Sequence, residues 1–210
     1  MPTNIRQLSA LGAFGTNCYI VETADKGAVL IDAPCYPGKI LSYVASLGLT
    51  LKAVLLTHGH CDHIEAVGEL VDKTGCDVYI HKDDEIMLRD SHLCLAGYFA
   101  TPFIPFDKAI TFDDGEVITV GGVSFKVIST PGHTKGSVCY LMDDVIFSGD
   151  TLFFESIGRT DFPGGSYKTI INSIGKLKAL GKDYTVLPGH SESTSLYYEL
   201  EYNPFLGDLR

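Results

Sequence analysis

The sequence predicts an α/β fold in which two β-sheets pack face to face and helices cover their outer faces. Each half of the 210-residue chain begins with apolar segments of strand length and then alternates strands with helices. No linker or internal repeat separates the halves. A sheet must bury its apolar face against another layer, so two sheets in contact with helices outside them satisfy both halves. We expect one domain over residues 1–210, which is long enough to bury a large core.

The first half is predicted to open with a hairpin and to continue as alternating strands and helices. Glycine after the last apolar residue marks where a helix ends. In order, the predicted elements are strands within 5–32, with a turn at 24–27, a helix from 40 to Gly48, strand 51–56, a helix from 64 to about 73–75, strand 77–81 and a charged helix over 82–89.

The second half opens with an aromatic, proline-broken segment at 91–108 that has no clear period. Two interpretations stay open: a surface loop packed by its own aromatic side chains, or one wall of a binding cleft. Further along are predicted strands 117–120, 123–128, 137–141 and 145–147, a helix through Ile170 that ends at Gly181, strand 184–187, and a last helix capped by Ser191.

The segment between strand 51–56 and the following helix carries the most chemical information. Residues His58, His60, Asp62 and His63 place three imidazoles and a carboxylate within six positions. Neutral imidazole and carboxylate are ligands that zinc and similar metals accept. A polar helix cap would explain the segment differently, but Asp or Ser alone can provide a cap. The segment therefore predicts a metal site.

Three more polar residues follow predicted strands in turns that contain glycine. His133 lies in Pro-Gly-His-Thr, Asp150 in Ser-Gly-Asp-Thr and His190 in Leu-Pro-Gly-His. Glycine allows a sharp backbone bend and leaves room for neighbouring side chains. Strand ends on one edge of a sandwich can meet, so these turns would add ligands to the first segment. Together they supply five His and two Asp, enough for two metals.

This joint pattern resembles the metallo-β-lactamase superfamily along essentially the whole chain. The resemblance implies a four-layer αββα sandwich of two mixed sheets. It also implies a first metal on His58, His60 and His133, a second on Asp62, His63 and His190, and Asp150 as the bridging ligand. Cys61 does not match a family ligand, so its thiol is expected to point away.

Two divalent ions, expected to be Zn with Fe or Mn as alternatives, suit hydrolysis. They would polarise a carbonyl and supply a metal-bound hydroxide, with Asp62 as the catalytic residue that orients its proton. The run Gly158-Arg159-Thr160-Asp161-Phe162-Pro163-Gly164-Gly165 resembles the short glyoxalase II-like branch, the hydroxyacylglutathione hydrolase type. This resemblance implies a thioesterase acting on a small hydroxyacyl-glutathione-like thioester.

Two features of this branch affect substrate choice. Arg159 is expected to contact the substrate, or alternatively to pair with Asp161 and shape the loop. The helical C-terminal domain with which larger glyoxalase II enzymes bind glutathione is expected to be absent, because the chain continues only to residue 210 after His190. Glutathione specificity is thus left open.

Two other function classes compete with the hydrolase. Persulfide dioxygenases share the resemblance but use one Fe(II), which here would be held by His58, His133 and Asp150. The full second ligand set favours the hydrolase. A non-catalytic metal module would close its shell with four strong ligands, typically thiolates, which this His-rich set does not provide.

Composition limits the partners and the compartment. The formal net charge of −10 argues against nucleic acid and anionic membranes, and leaves a small-molecule substrate. A cytoplasmic protein is expected, because residues 1–4 begin no secretory leader and no stretch approaches the ~18 apolar residues of a membrane helix. Six scattered cysteines without a C-x-x-C pair agree with a reducing compartment. We expect a monomer or a small homo-oligomer.

Overall fold

The computed structural model describes residues 4–209 and contains two large β-sheets. Residues 1–3 and 210, which enter the expectations about a leader and about where the chain stops, lie outside the described range. The strands are β1 Ile5–Leu11, β2 Thr16–Glu22, β3 Gly27–Ile31, β4 Thr50–Leu55, β5 Asp77–His81, β6 Ile110–Phe112, β7 Val117–Val120, β8 Val123–Ser129, β9 Val138–Met142, β10 Val145–Gly149, β11 Leu152–Phe153, β12 Ser156–Ile157, β13 Thr185–Pro188 and β14 Thr194–Ser195. The helices are α1 Pro37–Ser46, α2 Cys61–Ile64, α3 Val67–Thr74, α4 Ala96–Phe99, α5 Tyr167–Lys178 and α6 Leu196–Tyr202, with 3₁₀ turns at Glu85–Leu88 and Pro204–Leu209.

Both large sheets are mixed, as the fold prediction requires. The first has strand order β1-β2-β3-β4-β5-β6, with antiparallel pairs up to β3 and parallel pairs from β3 onward. The second has order β14-β13-β10-β9-β8-β7, in which only the β10–β13 pair is parallel. Strands β11 and β12 form a separate small hairpin.

Apolar side chains divide the molecule into four layers. Strand β2 is buried on both faces: Cys18 and Ile20 pack with the cluster under α1 and α3, whereas Tyr19 and Val21 pack with the second sheet. This division follows from the two-residue period of a strand. On the far side, Ile174 and other residues of α5 and α6 pack against the second sheet. The αββα sandwich is therefore confirmed.

Two buried tyrosines connect the sheets next to the metal-site segments. The Tyr19 hydroxyl donates to the Pro188 carbonyl at 2.7 Å, and the Tyr140 hydroxyl donates to the Leu56 carbonyl at 2.7 Å. Each phenol thus has the partner that a buried Tyr requires. Pro188 precedes the turn of His190, and Leu56 precedes the loop of His58. These two bonds therefore fix the position of one sheet relative to the other next to the predicted metal ligands.

Several local predictions differ from the structure. The charged helix over 82–89 is wrong: the segment forms a 3₁₀ turn at Glu85–Leu88, because the buried Asp84 carboxylate is bonded to other loops. The Ser191 cap is also wrong. Ser191 has φ 67°, strand β14 comes first, and Ser195 caps α6 by accepting from the Tyr198 N–H.

The helix predicted after the histidine segment is divided in two. Ala33 and Ala66 account for the break, because the Ala33 N–H donates to the His63 carbonyl and the Ala66 N–H donates to the Ala33 carbonyl. The predicted end at 73–75 is confirmed, with Gly75 as the left-handed C-cap. Strands β6, β11, β12 and β14 were not predicted, because they have only two or three residues each.

Two broader observations concern the described residues 4–209. All six cysteines are buried free thiols. Within this range, every helix is too short or too polar to cross a membrane.

Candidate metal centre

The structure brings all seven predicted metal ligands together where strands of both sheets end. The segment of His58, His60, Asp62 and His63 follows β4 of the first sheet. The other members follow strands of the second sheet, and they are His133 after β8, Asp150 after β10 and His190 after β13.

Three buried imidazoles form the first group of donors. Ring nitrogens of His58, His60 and His133 all lie within 4.8 Å of one another. The shortest separation, 2.8 Å, joins His60 Nδ1 to His133 Nε2. This geometry suits one cation held by three neutral nitrogen ligands.

A carboxylate and two imidazoles form the second group. Asp62 Oδ2 lies 3.2 Å from His190 Nε2 and 3.5 Å from His63 Nε2. The Thr16 hydroxyl donates to the same carboxylate oxygen at 2.9 Å. Thr16 is fully buried, so this bond fixes the orientation of Asp62.

Asp150 lies between the two groups. Its Oδ2 is 3.4 Å from His133 Nε2 of the first group and 3.5 Å from His190 Nε2 of the second. Its Oδ1 is 3.4 Å from His63 Nε2. One carboxylate thereby faces donors of both groups.

Hydrogen bonds to the opposite ring nitrogens set the tautomers of two histidines. His63 Nδ1 donates to Asp32 Oδ2 at 2.8 Å, and His133 Nδ1 donates to the Arg159 carbonyl at 2.8 Å. Each Nε2 therefore faces the site. Such bonds orient metal-ligating histidines and raise their basicity.

The site has a different electrostatic character at each group. Burial lowers the pKa of His58, and burial together with His133 lowers the pKa of His60 to about 3, so both rings stay neutral. Burial opposes ionisation of Asp62, but His63 and His190 lower its pKa to about 2. Asp62, Asp32 and Asp150 raise the pKa of His63 against its burial. This negative field favours a cation at the second group.

Two orphaned atoms test whether a metal fits the residues present. Four buried side-chain atoms among the described residues have no hydrogen-bond partner, and two of them, His58 Nε2 and Asp150 Oδ1, belong to the site. Leaving such an atom unsatisfied costs about 1–3 kcal/mol. A divalent cation would satisfy both atoms, so the donor set fits the metal that the sequence predicts.

Glycines beside the site serve two different needs. Gly149 has φ 48°, a left-handed conformation that side chains rarely adopt, and it lets the chain bend before Asp150. Gly189 has no such angle, but a Cβ there would lie 2.4 Å from Asp150 Oδ1 and 2.7 Å from His63 Cε1. Its glycine is therefore needed for space.

Sequence reasoning missed two buried carboxylates that support the site. Asp32 accepts from the Thr57 N–H at 2.8 Å besides His63. Its signal was available, because a carboxylate directly after a buried strand repeats the pattern of Asp150. Asp84 accepts from the N–H groups of Gly59 and Gly136. The charged stretch around Asp84 offers no comparable signal.

Arg159 and Cys61 occupy the edges of the site. Arg159 lines the cleft above the donors, and its guanidinium also donates two 2.7 Å hydrogen bonds to Asp161. Both interpretations of Arg159 are thus compatible with its position.

Cys61 packs in the core under α3, and burial raises its pKa to about 11, so it is a protonated thiol.

Comparisons with known proteins agree with this geometry. The family model described as Metallo-beta-lactamase superfamily matches residues 11–190. The hydroxyacylglutathione hydrolase GloC of Haemophilus influenzae is 35% identical over 92% of this chain and 94% of its own. The probable metallo-hydrolase YqgX of Bacillus subtilis is 37% identical over 93% and 94% of the two chains.

Solved structures with the same fold bear differing names. The crystal structure of the BLEG-1 B3 metallo-beta-lactamase has a TM-score of 0.88 at 36% identity, covering 97% of this chain and 99% of its own. TTHA1623 in a di-iron-bound form has a TM-score of 0.86 at 35% identity, covering 96% and 100%. ETHE1 from Myxococcus xanthus has a TM-score of 0.80 at 32% identity, covering 97% and 84%.

Proposed function

Because this chain belongs to the metallo-beta-lactamase superfamily and carries the donor atoms of a metal-dependent hydrolase, we propose that it cleaves a small thioester at a dinuclear metal site. The observation that carries the proposal is the position of Asp150 between two complete donor groups. His58, His60 and His133 would hold one ion, Asp62, His63 and His190 the other, and Asp150 both. The neighbour with two bound irons supports this number, with Zn, Fe or Mn as the metal.

Bound divalent ions supply Lewis acidity, which polarises a carbonyl and lowers the pKa of water toward neutrality. The overall reaction adds water to the carbonyl carbon and breaks the carbon–sulfur bond, giving a carboxylic acid and a thiol. Asp62 is the catalytic carboxylate that would orient the proton of the attacking water. Thr16 holds Asp62 for this role through the 2.9 Å bond to Oδ2.

Two features support a thioester as the substrate class. GloC, at 35% identity, carries the name hydroxyacylglutathione hydrolase. The run at 158–165 that resembles that branch lies over the site, where the Arg159 carbonyl accepts from His133 and its side chain lines the cleft. A thiolate leaves without strong acid assistance, so the chain needs no further acid.

The test is metal content per chain, by elemental analysis of protein purified without a chelating tag, together with hydrolysis of S-lactoylglutathione. We expect about two metals per chain and thioester cleavage. His58→Ala and Asp150→Ala should lose metal and activity, with Asp150→Ala losing both ions. His92→Ala, which removes an exposed histidine outside the site, is the matched control. Near-normal turnover in either site variant would contradict the assignment.

A persulfide dioxygenase with one Fe(II) is the alternative, and the structural neighbour ETHE1, at 32% identity, supports it. Its ligands would be His58, His133 and Asp150. One iron per chain with oxygen uptake on a persulfide, and no hydrolysis, would establish it instead. A β-lactam assayed in parallel covers the activity for which the BLEG-1 metallo-beta-lactamase is named.

A further inference from the structure

A cleft of about 300 Å³ lies over the metal donors, and its outer walls are apolar. This volume is at the small end of the roughly 300–1,000 Å³ typical of ligand sites. It can enclose one side of a thioester and not a whole peptide carrier. The apolar lining residues are Phe14, Leu95, Phe99, Phe153, Ile157 and Phe162.

The aromatic rings form a continuous wall from the cleft mouth to the donors. Ring centroids are 5.0 Å apart for Phe14 and Phe99, 6.1 Å for Phe99 and Phe162, and 5.8 Å for Phe162 and His60. Phe153 also lines the cleft, with its ring centroid 5.9 Å from that of His190. A group held between these rings would place its neighbouring carbonyl at the metal donors.

The wall keeps apolar surface in contact with water. Phe14 is 38% exposed and Phe99 is 37% exposed, although other aromatic residues of the 91–108 segment, Phe103 and Phe106, pack against the core. A ligand that covers exposed aromatic surface at the mouth of a cleft removes this surface from water, which favours binding of the ligand. Phe99 is therefore arranged for a ligand rather than for the core.

The cleft offers little to an anionic carrier. Among the described residues that line it, Arg159 is the one Lys or Arg. Its guanidinium is already bonded twice to Asp161 and lies 3.8 Å from the centroid of the Phe162 ring. The positive charge of Arg159 is thus paired with the carboxylate of Asp161, and the flat face of the guanidinium extends the aromatic wall. A carrier carboxylate would share this cation with Asp161, and an exposed pair of this kind contributes little to binding.

We propose that the cleft selects thioesters whose acyl group is apolar, and that carboxylates on the thiol carrier contribute no binding. The inference rests on the proposed thioesterase function and specifies its substrate class. Phe99 and Phe162 contact the acyl group, and Arg159 contributes its stacked face. A hydroxyacyl-glutathione, which has a polar acyl group and an anionic carrier, is then still cleaved but with a lower kcat/KM than a thioester with an apolar acyl group.

The experiment uses the metal-loaded protein and four thioesters, which combine lactoyl or phenylacetyl with glutathione or uncharged N-acetylcysteamine. We expect kcat/KM to be at least about tenfold higher for phenylacetyl on either carrier, since even one methylene in an apolar pocket changes kcat/KM by about tenfold or more. The two carriers should agree within about threefold. A preference for lactoyl, or a tenfold preference for glutathione, would overturn the inference. Failure to cleave any of the four at full metal content would instead overturn the thioesterase itself.

Two variants make the test specific to the wall and to the charge. Phe99→Ala should lower the phenylacetyl-to-lactoyl ratio, whereas Phe205→Ala, a phenylalanine 42% exposed outside the cleft, should keep it. Asp161→Ala releases the Arg159 guanidinium and should raise kcat/KM for glutathione carriers relative to neutral ones. An unchanged ratio in both Phe99→Ala and Asp161→Ala would contradict the proposal.

Binding without turnover provides an independent readout. Calorimetry with the uncleavable thioethers S-phenethyl- and S-(2-hydroxypropyl)-N-acetylcysteamine compares analogues of the same two acyl groups in which CH₂ replaces the carbonyl. We expect the phenethyl compound to bind about tenfold more tightly, and Phe99→Ala to reduce that difference. Equal affinities in the unaltered protein would refute an apolar acyl site.

Discussion

Asp32 shows how one buried carboxylate can prepare a ligand of the site. Its Oδ2 accepts from His63 Nδ1 at 2.8 Å and from the Thr57 hydroxyl at 2.9 Å, while its Oδ1 accepts from the Thr57 N–H. The acceptors fix the ring of His63 with Nε2 toward the site. Asp32 is a positioning residue, because it acts through His63.

Asp32→Asn should weaken metal binding about 10–100-fold, the usual cost of losing a partner behind a metal ligand. The amide keeps the shape but replaces one acceptor with an NH₂ group, which conflicts with the donors around it. Competition with a chromophoric chelator measures the affinity, and Asp72→Asn on the exposed side of α3 is the control. Equal affinities of the two variants would remove Asp32 from this role.

Gly189 allows a purely steric test of the site, because no proposed ligand is changed. Gly189→Ala would put a methyl group 2.4 Å from Asp150 Oδ1 and 2.7 Å from His63 Cε1, so both side chains must move. We expect at least about tenfold weaker metal binding with all seven proposed ligands intact. A Cβ at Gly38 would have no contact within 4 Å, so Gly38→Ala should bind metal normally. Normal metal binding by Gly189→Ala would mean that the surrounding loops yield easily.

At the scale of elements, Asp84 joins loops that carry different ligands. Its carboxylate accepts from the Gly59 N–H at 3.1 Å, the Thr134 hydroxyl at 2.6 Å and the Gly136 N–H at 2.7 Å. Gly59 lies between His58 and His60, and Thr134 follows His133. The 3₁₀ segment therefore connects the two loops of the first donor group.

Asp84→Ala should lower the free energy of unfolding by about 1–3 kcal/mol for each buried donor that loses its acceptor. Urea unfolding of the metal-free protein measures this loss separately from metal binding. Asp84→Asn retains one acceptor and should be intermediate. Asp83→Ala, at a side chain 52% exposed, should unfold like the unaltered protein. A loss below about 1 kcal/mol in Asp84→Ala would show that water replaces these bonds.

Elements with a strong apolar period or a glycine boundary could be predicted, and those set by distant contacts could not. Strands such as Gly27–Ile31 and the end of α3 at Gly75 follow from local pattern. The stretch around Asp84 reads as a charged helix, because the loops that bond it come from 25 and 52 residues away. The proposed ligands were found because four of them cluster at 58–63 and the other three lie in glycine-containing turns after strands, in a joint pattern that resembles a known family. The stretch around Asp84 has neither the histidine cluster nor a glycine turn.

At the scale of the whole molecule, the residues that stabilise the fold are separate from the residues that form the metal site. Three clusters of buried residues hold the layers together, one between the sheets and one under each helical layer. The donors lie where strands of both sheets end, and the negative charges of Asp62, Asp150 and Asp32 are close together there. A bound cation would relieve their repulsion without forming the core.

Metal removal should therefore lower Tm without unfolding the chain. A ligand at 100 times its Kd stabilises the folded state by about 2.7 kcal/mol, so restoring free metal to that level should recover a stability of this order. Circular dichroism should keep its far-ultraviolet signal after chelation, while differential scanning calorimetry shows the lower Tm. Asp150→Ala, which removes the proposed ligand of both ions, should resemble the chelated protein and gain little from added metal, whereas His92→Ala should recover fully. Loss of the far-ultraviolet signal on chelation would contradict this prediction. It would mean that the core clusters alone are too weak to keep the chain folded and that the metal holds the two sheets together.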